Sequence, residues 1–352
     1  MNRILKNTAF IKTALMIMVI LGHSMAYWSG TWITELPVAF EAKPLVFLYG
    51  WINSFHIYAF TAISGYIFAF KMTHGGYSKY SRLLVNKGKR LLIPYVFTAA
   101  VWVIPVSLAF FKWDFGYIFK HFILCSSPSQ LWFLWMLFDV FVIVWILWKR
   151  FSGNAIVCWC VTLLLFLVGK AGSFFLENYF GVWTACQYTV FFTIGIRLYL
   201  AVDNEKSHKY QIVLRLFAPK NIVAFVLADF LLYGMHTVII QKAGGMWKIF
   251  DIGIMLCIHS IGAVAAILIL NAIADEVNYA NSKVFNALSK SAMPMYLFHQ
   301  QIIYFTIYWL NGRVNPYLNA GINFVVALAV SFLISSILIR WKTTRFLIGE
   351  KV

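Results

Sequence analysis

The stretch Thr8-Ala-Phe-Ile-Lys12-Thr-Ala-Leu-Met-Ile-Met-Val-Ile-Leu-Gly-His23-Ser-Met-Ala-Tyr-Trp28 holds a single lysine among apolar residues. A spanning helix needs about 20 such residues, because each adds ~1.5 Å against a hydrocarbon core of ~30 Å. No small-residue cleavage site stands out after it, so it reads as a first membrane span and not as a cleavable signal peptide. Nine further runs follow, at Leu45–Phe70, Leu91–Phe111, Leu131–Trp148, Ala155–Leu176, Ala185–Leu200, Ile222–Gln241, Phe250–Ala272, Ser291–Leu310 and Ala320–Ile339. Lys170 and Glu177 blur the boundary between the fifth and sixth. The pattern predicts an all-α, polytopic integral membrane bundle of about ten transmembrane helices. No loop reaches the size of a folded domain, so residues 1–352 read as one transmembrane domain and all chemistry falls to the bundle or its short loops.

Composition agrees. Of 352 residues, 62% are hydrophobic and 12% charged, the latter about half the share in a soluble globular protein. Too little polar surface remains for a soluble enzyme, and the apolar content excludes a disordered chain or a fibrous repeat. The five cysteines form no CxxC and no metal-ligand spacing, and read as small apolar residues. The net charge of +17 would suggest nucleic acid in a soluble protein. Ten spans place both termini on one side. If that side is the cytoplasm, twenty-one Lys and Arg residues lie inside, many in Lys71–Arg90 and Ala201–Lys220, and seven outside. The positive-inside rule then predicts N-in and C-in, and the charge calls for no nucleic-acid partner.

Ionisable side chains within spans are costly and face a bundle interior or a wet cavity. They are Lys12, His23, His56, Asp139, Asp229, His236, His259 and His299. A lone buried His is often only a hydrogen-bonded packing residue. Lys12 and His23 are eleven residues apart, which returns them to within about 20° of one helix face and separates them by roughly 16 Å. A cation near the cytoplasmic face with a proton acceptor deeper on the same stripe suits a reaction across the bilayer. The spacing equally allows Lys12 to be a snorkelling anchor.

Lys12 to His23 resembles the opening helix of the acyltransferase type-three family of bacterial membrane proteins, in which a basic residue, ten intervening residues and a His recur. Most members carry Arg at the basic position; Lys keeps the charge and loses the bidentate fork. Four more segments resemble the family in order. Phe55-His56-Ile57-Tyr58-Ala59-Phe60-Thr61-Ala62-Ile63-Ser64-Gly65-Tyr66 matches the second-helix signature, with Tyr58 where Pro is frequent, which predicts a straighter helix. Lys87-Gly88-Lys89-Arg90-Leu91-Leu92-Ile93-Pro94-Tyr95 matches the basic stretch entering the third helix. Leu131-Trp132-Phe133-Leu134 matches the start of the fourth. Tyr296-Leu297-Phe298-His299-Gln300 matches the penultimate helix.

The resemblance implies a multi-pass O-acyltransferase of the bacterial cytoplasmic (inner) membrane, moving an acetyl group from acetyl-CoA, or another acyl-CoA, to a glycan or lipid-linked saccharide. It implies no permanently bound cofactor and no metal. His23 is the expected general base, or transient acyl acceptor, with His56 beside it in catalysis. Lys12, Ser64, Lys87 and Arg90 are expected at the donor, the last two clamping CoA phosphates. Ser64-Gly65 otherwise reads as a close helix packing site, and most of the basic loop as topology. Trp132 and His299 are further site candidates. The competing reading is a polysaccharide or lipid-linked sugar exporter, since intramembrane ionisables also mark transport paths.

Overall fold

The computed structural model describes residues 3–30, 32–33, 35–203, 215, 218–237 and 247–350. Lys206, Lys209, Lys242 and Lys351 lie outside the described residues, as does the end of the seventh run at Gln241. Among the described residues every regular element is helical. Lipid dictates this, because a helix satisfies its backbone N–H and C=O groups within its own segment.

Each of the ten apolar runs falls on a helix. These are α1 (Arg3–Ala26), α2 (Lys43–Thr73), α3 (Tyr80–Ser107), α5 (Trp132–Ile146), α6 (Ala155–Phe175), α7 (Val182–Val202), α8 (Pro219–Met235), α9 (Trp247–Glu276), α10 (Lys283–Leu310) and α11 (Pro316–Leu338). A short helix, α4 (Phe115–Ile118), precedes α5. Seven, α1, α3, α5, α6, α7, α9 and α11, are long and apolar enough to cross a membrane on those criteria alone. α8 has 17 residues, and α2 and α10 interleave apolar residues with polar and aromatic ones. With Tyr58 in place of Pro, α2 runs unbroken for 31 residues.

α3 departs from the sequence reading. It begins at Tyr80, ahead of the apolar run at Leu91. Its first turns are amphipathic, with Leu83 buried and Arg82, Lys89 and Arg90 exposed, so a search for continuous apolar residues misses them. The helix widens into π turns at Gly88–Leu92 and Ala99–Val103, ahead of Pro94 and Pro105. A proline ring crowds the carbonyl four residues back. Those carbonyls belong to Arg90 and Val101, inside the two π turns, where one extra residue opens the ladder.

The chain forms two discontinuous compact units. The first comprises Met1–Gly22, Phe47–Thr73 and Phe191–Ser289, and the second His23–Val46, His74–Val190 and Lys290–Val352. In the first, α2 and α7 pack through glycine. A Cβ on Gly65 would stand 2.1 Å from the Phe192 carbonyl oxygen, and one on Gly195 would stand 1.8 Å from that of Ala62. Polar ties fix α9 in this unit. Asn7 Nδ2 donates to Asn271 Oδ1 at 3.1 Å and Asp275 Oδ1 at 2.8 Å, and His259 shares a 2.7 Å hydrogen bond with the Ser54 carbonyl. In the second unit, Trp102 Nε1 of α3 donates to the Phe298 carbonyl of α10 at 3.2 Å, and Trp145 Nε1 of α5 to that of Tyr77 at 3.0 Å. α6 turns Leu164, Leu167 and Phe174 outward, as a lipid-facing helix does. The α6–α7 junction resolves at Phe175 and Val182. Glu177 lies between them and pairs with Lys120 at 2.7 Å, while Lys170 stays in α6 with its Nζ 5.6 Å from the Phe166 ring centre.

Gly195→Ala should therefore push α2 and α7 apart and cost about 1–3 kcal/mol, the usual range for overpacking. Gly253→Ala, in helix α9 with open space around its Cα, should be neutral or slightly stabilising. Thermal unfolding of both variants in one detergent checks the contrast, and equal midpoints would refute it.

Candidate active site

His23 stands near the end of α1, and His299 in the middle of α10, 276 positions apart. The second unit brings them together, with His23 Nδ1 2.7 Å from His299 Nε2. The two rings are 4.9 Å apart, centre to centre, and 15° from parallel. His299 Nδ1 lies 2.8 Å from the carbonyl oxygen of Tyr296 on its own helix. A carbonyl only accepts, so Nδ1 of His299 carries a hydrogen. His299 is 0% exposed, where an extra charge is expensive, so the ring is neutral and its Nε2 is an acceptor. His23 must then donate from Nδ1. Its Nε2 is left with a lone pair on a half-buried ring. One backbone carbonyl thus fixes the tautomers of two imidazoles.

The support behind His299 is a buried amide cluster. Gln301, 0% exposed, and Gln130, 3% exposed, bond reciprocally. Gln130 Nε2 donates to Gln301 Oε1 at 2.7 Å, and Gln301 Nε2 donates back to Gln130 Oε1 at 3.2 Å. Gln130 Nε2 also reaches the Leu297 carbonyl at 3.1 Å, and Tyr296 donates its hydroxyl to the Gln130 carbonyl. Ser129 takes a left-handed backbone with φ of 51°, uncommon for a residue with a side chain. Its hydroxyl accepts from Gln300 Nε2 at 3.1 Å and donates to Gln130 Oε1 at 2.8 Å. The connection before α5 is thereby tied to Tyr296, Leu297, Gln300 and Gln301 of α10, the residues on either side of His299.

Other candidates fall elsewhere. Lys87, half-buried, puts Nζ 3.4 Å from the ring centre of Phe141 on α5 and 5.5 Å from that of Tyr77, a cation–π arrangement. Arg90 is exposed in the first π turn of α3. Trp132 is half-buried and meets the Tyr188 ring edge-on at 5.5 Å. Lys12, His56 and Ser64 belong to the first unit. Lys12 is half-buried on α1. His56 is buried and shares a 2.7 Å hydrogen bond with the Ile52 carbonyl of its own helix. Ser64 donates to the Phe60 carbonyl at 2.8 Å, beside the close contact at Gly65.

The two intramembrane aspartates take no part in the His23–His299 pair. Asp229 accepts from Trp51 Nε1 at 2.9 Å, and Asp139 Oδ2 meets no hydrogen-bond donor among the described residues. His236 pairs with Asp251 at 2.6 Å. Among the described residues no group of three or more His, Cys, Asp or Glu is placed to hold a metal ion.

Sequence reasoning named both histidines and missed their partnership, together with Ser129, Gln130, Gln301 and Trp32, whose ring lies 5.1 Å from that of His23. The available signal was three consecutive polar residues within an otherwise apolar run, His299-Gln300-Gln301. The arrangement can take a proton at His23 Nε2 and steady the resulting imidazolium through His299.

A family model described as an acyltransferase domain matches residues 9–341, a span that covers α2 to α11 entirely and α1 from Ala9. No curated protein and no solved structure matches this chain.

Gln301→Leu should take one partner from each end of the buried Gln130 amide, leaving it the Leu297 carbonyl and the Ser129 hydroxyl, and cost about 1 kcal/mol, whereas adding Gln130→Leu should recover part of that loss, because removing both partners costs less than under-satisfying one. Apparent melting temperatures of the single and double variants check this; a double variant less stable than the single would contradict it.

Proposed function

Because the chain belongs to the acyltransferase type-three family, we propose that it is a membrane O-acyltransferase moving an acetyl group from cytoplasmic acetyl-CoA to a hydroxyl of a surface or lipid-linked glycan, with His23 as base. The observation that carries the reading is the pairing of His23 with a buried, carbonyl-anchored His299. The acceptor hydroxyl gives its proton to His23 Nε2 while its oxygen attacks the thioester carbonyl carbon. The C–S bond breaks, the acetyl group becomes an ester, and the thiolate leaves with the proton as CoA thiol. His299 is a positioning residue. It holds the Nδ1–H of His23 and lets the imidazolium share its charge over a second ring.

In this reading all ten helices cross the cytoplasmic membrane of a bacterium, both termini are cytoplasmic, and His23 lies in the outer half. The charge distribution supports that orientation. Lys87 and Arg90, at the basic start of α3, hold CoA phosphates. Lys12 and Ser64 at the donor, and His56 in transfer, enter on family resemblance. The exporter reading has no comparable support.

His23→Ala should insert normally and lose acetyl transfer by ~10²-fold or more, the usual worth of acid–base help. His299→Gln, whose amide can accept from His23 and donate to the Tyr296 carbonyl, should retain more activity than His299→Leu. Glycan acetylation at matched expression measures both. Near-normal transfer in His23→Ala would refute the assignment.

Replacing Lys87 and Arg90 together with Gln should raise the apparent KM for acetyl-CoA, each lost charge-assisted contact being worth ~1.5–3 kcal/mol. Added salt should weaken donor binding in the wild type. A donor KM unmoved by the double substitution would assign both residues to topology.

A further inference from the structure

Beyond α11 the chain turns back, within the second unit, onto the start of α3. A short helix, α12 (Lys342–Leu347), follows. Its side chains close the end of α11. Arg345 donates to the Ile339 carbonyl from Nε at 2.9 Å and from Nη2 at 2.7 Å, and Thr344 donates its hydroxyl to the Leu338 carbonyl. These are carbonyls that a helix end leaves without partners. α12 itself ends in a Schellman turn. The Gly349 N–H donates to the Phe346 carbonyl at 3.1 Å and the Glu350 N–H to that of Arg345 at 3.0 Å, with Gly349 at a φ of 76°.

The turn is seated on α3. Ile348 is 0% exposed and Gly349 is buried. A Cβ on Gly349 would stand 2.8 Å from the Arg90 carbonyl oxygen and 2.6 Å from Pro94 Cγ. Arg90 lies in the first π turn, and Pro94 has no N–H to offer its carbonyl. The backbone of Arg90 is thus walled by Gly349 while its side chain is exposed. Just before this turn, Lys87 is held to α5 through the Phe141 ring. The charges of the segment beyond α11 are Arg340 and Lys342, both exposed, Arg345, turned onto Ile339, and Glu350, half-buried. Gly349 carries none, so a side chain added there changes position without changing charge.

We propose that the segment 342–350 is a brace that sets the position of Arg90 for an anionic acyl-CoA, and that Gly349 is its positioning residue. This rests on the acyltransferase reading, in which Arg90 holds CoA phosphate, and adds to it what holds Arg90. A guanidinium grips phosphate through a rigid planar fork, so a displaced backbone weakens the grip.

The test titrates full-length protein in lipid nanodiscs with acetyl-CoA by calorimetry. Gly349→Ala and Gly349→Asn should each weaken binding by about tenfold, near the lower worth of one charge-assisted contact. Asn tolerates a positive φ, so an equal loss in both assigns the effect to the contact and not to the backbone angle. Gly75→Ala, at a φ of 72° with open space around it, should bind as the wild type does. In an Arg90→Gln background, Gly349→Ala should change affinity less than twofold, a coupling that general loosening of the bundle does not produce. Hydrogen exchange on the wild type serves if the Gly349 variants fail to fold. By reciprocity, acetyl-CoA should slow exchange at 345–350 as well as at 88–92.

Affinity indifferent to Gly349→Ala, recovery in Gly349→Asn, a matching loss in Gly75→Ala, additive losses with Arg90→Gln, or exchange slowed at 88–92 alone would each overturn the brace. The two readings fail separately. Binding weakened by Arg90→Gln and unmoved by Gly349→Ala removes the brace and keeps the donor site. A wild type that does not bind acetyl-CoA removes the donor site and the brace with it.

Discussion

Hydrocarbon offers no water to complete a hydrogen bond, so every polar atom placed in it must be finished by the chain itself. The arrangement of this protein follows from that constraint. Backbone groups are finished within helices. Many side chains are finished in pairs and small clusters, mostly between neutral partners, though some buried atoms such as Asp139 Oδ2 are not. Trp51 serves Asp229, Asn271 serves Asn7, and Gln130 and Gln301 serve each other. The His23–His299 pair belongs to the same scheme, with one difference. The chain of donors that begins at the Tyr296 carbonyl fixes which nitrogen of each ring carries a hydrogen.

The two ends of α3 carry different chemistry. Its first turns present Arg82, Lys89 and Arg90, while the chain that leaves its far end stacks Phe111 on Trp113 and Trp113 on Tyr117. A helix that spans lipid holds these two chemistries on opposite sides by length alone.

The fold was largely legible in the sequence because lipid reduces the problem to the length of apolar runs. The miss at α3 has a cause of the same kind: an amphipathic opening breaks the run while continuing the helix. The candidate site was half legible. His23 and His299 stand out as ionisable residues in apolar surroundings, and family resemblance marks both. Their contact joins residues 276 positions apart, and no local pattern encodes that pairing. Ser129, Gln130 and Trp32 lie in connections, where polar and aromatic residues are commonplace. Only the burial of Gln130, and the nearness of Trp32 to His23, set them apart, and both are properties of the folded chain. Ser64 and Gly65 offered two readings, and the backbone of Phe192 lies where a side chain on Gly65 would go.

Each π turn in α3 is, in effect, one residue more than an α-helix of the same height would hold. Two of them, at Gly88–Leu92 and Ala99–Val103, divide the helix into three stretches whose faces are out of phase by about 100° at each step. A wheel drawn through the whole of α3 at a constant angle therefore loses its phase at each π turn. It follows that a relative with a one-residue deletion in either turn need not have lost the helix. It would have the same helix in a different phase, so correspondences along this segment have to be counted in turns of the ladder and not in alignment columns.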